Sequence, residues 1–404
     1  MRPALAAVLL TLGAAALAEE PAPAPVLLGI DVLEEHEFRE LKNKSIGLIT
    51  NQTGLDRGSR STIQVLANAP GVRLRALFSP EHGFAGTSES EEVGSGIFLL
   101  PDGSRIPMYS LYGSTRAPTP DTLRGLNALV FDIQDAGARF YTYATTMAMA
   151  MESAAKAEIE FIVLDRPNPI NGETVEGPIL DPDIRHFIAY FPIPVRHGLT
   201  IGEIARLHNQ EARLGARLQI VPMKNWKRSL WYDQTGLPWV RPSPNLPDLD
   251  AATLYPGIAC FEAANVSVGR GTDLPFRWVG APWMDAKAVV QRLRKAGLKG
   301  VSFAEETFTP AKSVFAGRRC PGVRMRVTDR KVLRSLEVFA HLAAALRDQH
   351  PKEFALDLER MPRFTGSRRF NELFSQGAAP KELIELFDAG AREFLDRRAH
   401  FLLY

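Results

Sequence analysis

Four short apolar runs in the first half of the chain, each ending in polar residues, restrict the fold more than any other feature. Residues 45–50 end at Asn51, 73–78 at Glu81, 128–131 at Asp132, Gln134 and Asp135, and 161–164 at Asp165, Arg166 and Asn168. Short β-rich apolar runs bounded by turn formers suit strands buried on both faces. Helical patterns over residues 61–68, 121–126 and 141–157 separate them. Strands alternating with helices indicate a parallel α/β sheet, and right-handed crossovers bring the carboxyl ends to one edge. Asn51, Glu81, Asp132 and Asn168 are thereby expected to converge on one cleft.

Within Phe78-Ser79-Pro80-Glu81-His82-Gly83-Phe84, Pro80 stops the strand, and Gly83 and Gly86 let the backbone bend. Glu81 and His82 then lie just beyond a strand's carboxyl end, where open α/β sheets bind ligands. A single loop carboxylate reads equally as a solvated turn residue. Four strand ends delivering polar groups to one rim favour a built site with Glu81 as a catalytic carboxylate. In Arg139-Phe140-Tyr141-Thr142-Tyr143, Tyr141 and Tyr143 read either as hydroxyl donors to a polar substrate or as core aromatics. Asp165 and Arg166 form part of a proline-stiffened loop or pair with each other. Thr200 is expected to cap a helix with Glu203 as its capping-box partner, leaving His197 just before it to face the cleft. Residues 218–221 read as another strand, followed by an irregular segment holding Trp226, Trp231 and Trp239, suited to stacking on sugars or to pinning the segment down. Further on, Glu262, Asn265 and Ser267 are too polar for a plain core strand. Gly269 and Gly271 flank Arg270, a side chain able to grip a carboxylate with two hydrogen bonds. The remainder alternates again and reads as a smaller α/β domain.

Composition narrows the chemistry. A charged fraction of 23% and a net charge of +2 give no case for nucleic acid. Residues 1–18 combine Arg2, an apolar centre and Ala16-Leu17-Ala18, as in a secretory signal, and a spacer follows over 19–27. The protein is therefore expected to be secreted or periplasmic, with no stable membrane insertion. Cys260 and Cys320 form a bridge or remain two buried thiols. There is no Gly-x-Ser-x-Gly elbow, no His-Glu-x-x-His and no Gly-x-Gly-x-x-Gly after the first strand. No metal and no cofactor are expected. Acid/base chemistry by carboxylates remains, and glycoside hydrolysis fits it: one carboxyl group protonates the leaving oxygen while a second group assists attack.

Eight stretches together resemble the NamZ-type exo-β-N-acetylmuramidases: Asn51-Gln52-Thr53-Gly54, Ser79 to Phe84, Asp132-Ile133-Gln134-Asp135, Arg139 to Tyr143, Asp165-Arg166-Pro167-Asn168-Pro169, Ser243-Pro244-Asn245, Tyr255-Pro256-Gly257 and Val268-Gly269-Arg270-Gly271-Thr272. The resemblance runs from about Gly29 to Tyr404 and departs from the pattern at Ala263-Ala264. It implies a Rossmann-like parallel sheet domain, taken as residues 28–240, then a smaller C-terminal α/β domain, 241–404, with the active cleft between them. It also implies an exported enzyme releasing non-reducing-end N-acetylmuramic acid from a peptidoglycan-derived saccharide. Glu81 matches the glutamate of the Ser-Pro-Glu-His-Gly motif. Glu262 or Asp132 is then the second carboxylate, unless the substrate's acetamido group replaces it. Tyr141 and His82 become supporting donors, and Arg270 or Arg139 grips the lactyl carboxylate. Asn51, Asn168, His197, Asn245 and Asn265 complete the candidates for substrate binding. Two rivals stand beside this reading: a cell-wall saccharide-binding protein without catalysis, and an ester or amide hydrolase acting on muropeptides.

Overall fold

The structure, a computed structural model, describes residues 24–88 and 94–404. The expected signal over residues 1–18 and the first part of the spacer lie outside the described residues.

The first half folds around a sheet of β1 (Ser45–Thr50), β2 (Arg73–Ser79), β3 (Gly96–Leu99), β4 (Arg105–Ser110), β5 (Ala128–Asp132), β6 (Glu160–Leu164) and β7 (Arg217–Val221). Their order is β3-β4-β2-β1-β5-β6-β7. Every neighbouring pair is parallel except β3 with β4. The parallel strands follow the doubly wound order, with the winding reversing between β1 and β5, where a crevice opens at the carboxyl edge. β1 and β5 are buried along their whole length, as their uninterrupted apolar runs require. β3 and β4 carry exposed and half-buried residues, so their pattern does not stand out in the sequence. Instead of a helical crossover, β3 turns back on β4 and makes the sheet mixed.

The helix Thr142–Lys156 buries Ala144, Met147, Ala148 and Met151 and begins on the carboxyl edge of the sheet. Thr200 caps the helix Ile201–Glu211 through a capping box with Glu203. The second half holds β8 (Trp278–Gly280), β9 (Val301–Phe308) and β10 (Cys320–Val327) in an antiparallel sheet ordered β8-β10-β9. Helices Leu249–Ile258 and Ala286–Ala296 pack on it, Ser335–Gln349 packs on both of them, and Pro380–Arg398 packs on Ser335–Gln349. Gly257 lets the first of these approach the third: a Cβ there would fall 1.9 Å from the Ser335 carbonyl oxygen.

One apolar core runs through both halves, from Phe131 in β5 through Tyr255 to Phe339. The end of the chain ties them further. Arg398 donates to the Gly172 and Gly198 carbonyls at 2.9 and 3.1 Å, and the Tyr404 hydroxyl donates to Asp165 at 2.8 Å. Cys260 and Cys320 are both free buried thiols. Among the described residues, no helix is long and apolar enough to cross a membrane.

Candidate active site

Beyond β2 the chain turns sharply. The Gly83 amide donates to the Pro80 carbonyl at 3.1 Å and the Gly86 amide to the Gly83 carbonyl at 3.2 Å. His82 takes a left-handed φ of 70°, unusual for a residue with a side chain, and its Nδ1–H donates to the Ser88 carbonyl at 2.6 Å. Gly86 abuts the Gln52 amide group, which leaves no room for a Cβ, and Gln52 Nε2 donates to the Arg241 carbonyl at 2.8 Å. This clamp presents Glu81 to the start of the helix Thr142–Lys156, where the Thr142 hydroxyl donates to Glu81 Oε2. The Tyr143 hydroxyl lies 3.4 Å from the Glu81 carbonyl oxygen and donates to the Pro242 carbonyl at 2.8 Å.

Glu81 and His82 line a cavity of about 160 Å³ closed from the other side by the second half of the chain. Glu262, in the helical turn Ala259–Ala263, and Arg270 form the polar part of that side. Arg270 Nε donates to Glu262 Oε1 at 2.5 Å, and its guanidinium sits 5.2 Å above the Phe276 ring. The turn carrying it depends on Gly269, at φ 84°, where a Cβ would meet the Leu274 carbonyl oxygen at 2.4 Å. The rest of the wall is aromatic. Tyr255 meets Phe276 edge-on at 4.7 Å and Phe140 at 5.2 Å, and Tyr141 meets Tyr255 at 6.1 Å. The Tyr141 hydroxyl is buried with no partner at hydrogen-bonding geometry, although Tyr143 lies beside it. Burial and the neighbouring phenols push the Tyr141 pKa well above its ordinary value. Burial and the Glu262 carboxylate do the same to Tyr255, so both hydroxyls keep their protons and can donate.

Five sequence candidates thus meet in the cavity wall: Glu81, His82, Tyr141, Glu262 and Arg270. The others lie outside it. Asp132 is fully buried and its oxygens are taken by Arg166, at 2.5 and 2.9 Å, and by the Thr62 hydroxyl. That closed ion pair corrects the reading of Asp132 as a second catalytic carboxylate; the Arg166 side chain goes to Asp132, while its backbone amide donates to Asp165 Oδ1 at 3.0 Å. Arg139 is equally buried, donating to the Ile193 and Phe364 carbonyls at 2.8 and 2.9 Å, with its pKa lowered to about 10 by burial. It ties the halves together and does not face a substrate. Asn168 donates to the Leu199 carbonyl at 2.9 Å and accepts from the Ile170 amide. Asn51 closes a turn by accepting from the Thr53 amide at 2.9 Å. His197 is 1% exposed, accepts from the Leu199 amide at 3.1 Å, and has its pKa lowered to about 3 by burial and by Arg398 and Arg139. Asn245 is buried outside the wall, two residues past Ser243, which lines it. Asn265 is bonded to the Glu353 carbonyl at 2.6 Å and the Ala355 amide at 2.9 Å, so it fastens a loop. Trp226 and Trp231 are core residues.

Thr142, Tyr255 and Phe276 are wall residues that the sequence reading did not single out. Thr142 stands inside the Arg-Phe-Tyr-Thr-Tyr stretch at a helix start, the place where a hydroxyl is presented to a neighbouring loop. Tyr255 carried no signal beyond its short motif. No group of three His, Cys, Asp or Glu side chains able to hold a metal ion occurs among the described residues.

The arrangement offers one carboxyl group supported by a hydroxyl, a second carboxylate held by an arginine, and two neutral phenols in a small aromatic chamber. Comparison with known proteins agrees in kind. Residues 46–250 match the N-terminal part of the exo-β-N-acetylmuramidase NamZ family and residues 253–404 its C-terminal part. The chain is similar to the peptidoglycan β-N-acetylmuramidase NamZ of Bacillus subtilis (strain 168), with 40% identity over 381 residues, covering 94% of this chain and 91% of that protein. Two crystal structures of DUF1343 family proteins from Bacteroides fragilis NCTC 9343 superpose with TM-scores of 0.86 and 0.77 at 35% and 28% identity. Each match covers 94% of this chain and 99% of the other.

Proposed function

This chain belongs to the exo-β-N-acetylmuramidase NamZ family, and from that premise we propose that it removes N-acetylmuramic acid from the non-reducing ends of peptidoglycan-derived saccharides, with Glu81 as proton donor. The observation that carries the assignment is the position of Glu81: at the carboxyl edge of the sheet, beside a hydroxyl donor, in a chamber with a second carboxylate. Glycosidic cleavage needs a carboxyl group to hand a proton to the departing oxygen as the anomeric carbon gains positive charge. Glu262 supplies negative charge on the wall contributed by the second half. Tyr141 and Tyr255 supply neutral donors to sugar hydroxyls, and their rings border the sugar face. Arg270, which donates to Glu262, is the cation of the cavity wall and the group to meet the lactyl carboxylate of muramic acid. Arg139, its former rival, is buried outside the cavity wall with both terminal nitrogens bonded to backbone carbonyls.

Residues 1–18 complete the proposal as an export signal, delivering the enzyme to the compartment that holds its substrate. Incubation with the disaccharide N-acetylmuramyl-N-acetylglucosamine and mass spectrometry of the products tests the activity. Free N-acetylmuramic acid is expected. An intact disaccharide would leave only binding, and with a muropeptide substrate a released peptide would point to amide hydrolysis.

A further inference from the structure

Beside the cavity lies a patch of positive charge that the cleavage step does not use. Ile188 and Phe364 both line the cavity, and next to them stand His186 and Arg363. Arg363 Nη1 lies 3.5 Å from His186 Nε2. Arg116, from the loop after β4, places its guanidinium 4.6 Å above the ring of Phe187. Partial burial, and after it the Arg363 and Arg116 charges, lower the His186 pKa. Two guanidinium groups from separate parts of the chain therefore converge near one side chain, two residues from Ile188 and close to Phe364 of the cavity wall.

Neither arginine has a carboxylate partner among the described residues. The acids closest in the chain are occupied: Asp183 accepts from Arg368 Nε at 2.6 Å and Asp181 from the Arg368 amide at 2.8 Å. Arg185, next to His186 in the chain, stacks over Tyr190 at 5.2 Å, beside Glu152. Stacking on Phe187 orients Arg116 without neutralising it. Like charges held together without a counter-charge cost free energy, and an anionic ligand relieves that cost.

We propose that Arg116 and Arg363 form a subsite for a carboxylate carried on the leaving-group side of the scissile bond, favouring substrates whose departing chain is anionic. This rests on the proposed muramidase reading of the cavity. Peptidoglycan strands alternate N-acetylglucosamine with muramic acid. A departing N-acetylglucosamine alone is neutral, whereas a longer departing chain brings a lactyl carboxylate one sugar further out. The subsite thus reads chain length through charge.

The test compares kcat/KM for the disaccharide above with that for the trisaccharide ending in a second muramic acid. The trisaccharide is expected to be preferred by about tenfold, from two partly exposed ion pairs. In the R116Q/R363Q double variant the ratio is expected to fall to near one, while R116K/R363K keeps a preference, as does added charge-neutral osmolyte but not 0.5 M salt at roughly a Debye length of 4 Å. A third substrate carries L-Ala-D-Glu on the outer lactyl group. If the preference persists there, peptide carboxylates serve as well as the lactyl group; if it vanishes, the lactyl carboxylate is the ligand. Equal rates on disaccharide and trisaccharide, or a ratio unmoved by the double glutamine substitution, would overturn the subsite alone. Failure to release muramic acid from any of the three would sink the muramidase reading and the subsite with it.

Discussion

Two acidic side chains at the ends of strands that both pair with β1 meet opposite fates. Asp132 is the last residue of β5, in register with Thr50 of β1, and sinks into a floor of hydrogen bonds with Arg166 and Thr62. Glu81 stands two residues past the end of β2, after Pro80 has ended the ladder and the turn has lifted the chain. It meets a hydroxyl and a cavity. Asn51 and Asp165, each one residue past a strand, share the fate of Asp132: Asn51 closes a turn, and Asp165 accepts from Thr200, Gly202 and Tyr404. The carboxyl edge of this sheet therefore has two storeys. The lower one joins loops to strands, and the upper one, reached only after a turn, is open to a ligand.

The sharpest way to break this distinction is to neutralise one acid on each storey. Glu81→Gln is expected to lower kcat on the disaccharide by about two to four orders of magnitude, the range for removing an acid/base catalyst. Its melting temperature should stay near that of the parent, because Thr142 still finds an acceptor. Turnover at the parental rate would remove Glu81 from the mechanism. Asp132→Asn should do the reverse. It strands the buried Arg166 charge and is expected to cost about 3–5 kcal/mol of stability, read from denaturant unfolding. Whatever folded protein remains should retain kcat. A stable Asp132→Asn protein with lost turnover would return Asp132 to the catalytic group.

The two storeys also explain what was legible beforehand. β1, β5 and β6 were readable because strands buried on both faces leave unbroken apolar runs, and β2 and β7 because their apolar residues alternate with polar ones. β3 and β4 were not, since Pro107 interrupts one and exposed Ile97 and Leu99 fall in the other. The helix Leu249–Ile258 was hidden by Pro256 and Gly257, a pair that ordinarily marks a turn. In the site, the edge of the sheet could be inferred, but not the storey. Asn168 and Glu81 look alike as polar residues after strands, and only the tertiary course of the backbone separates them. Arg139 and Arg270 pose the same ambiguity: a guanidinium suits backbone carbonyls as well as a ligand carboxylate.

The smallest expected effect probes the lower storey by its protons. Burial raises the Asp135 pKa to about 7, and His197, whose Nε2 lies 3.7 Å from Asp135 Oδ2, is lowered to about 3. Asp135 holds its proton more tightly folded than unfolded, so its stabilising contribution is complete below about pH 4 and is lost as pH rises through 7. His197 is opposite: its contribution is complete above about pH 6.5 and is lost as pH falls toward 3. Between about pH 4 and 6.5 the two slopes oppose each other, which leaves the pair nearly silent. Asp135→Asn uncovers the histidine, and its slope of stability against pH should then be more positive than the parent's across that window, by at most about 1.4 kcal/mol per pH unit. His197→Gln uncovers the aspartate, and its slope should be more negative than the parent's by a similar amount. Asp165, raised to about 6 by burial, tilts both variants equally and drops out of the difference between them. Melting temperatures at pH 4.5, 5.5 and 6.5 measure the slopes independently of any constant loss from the substitutions. Equal slopes in the two variants would mean that Asp135 and His197 do not titrate in opposite senses, and the lower storey would then hold charge where burial argues for its absence.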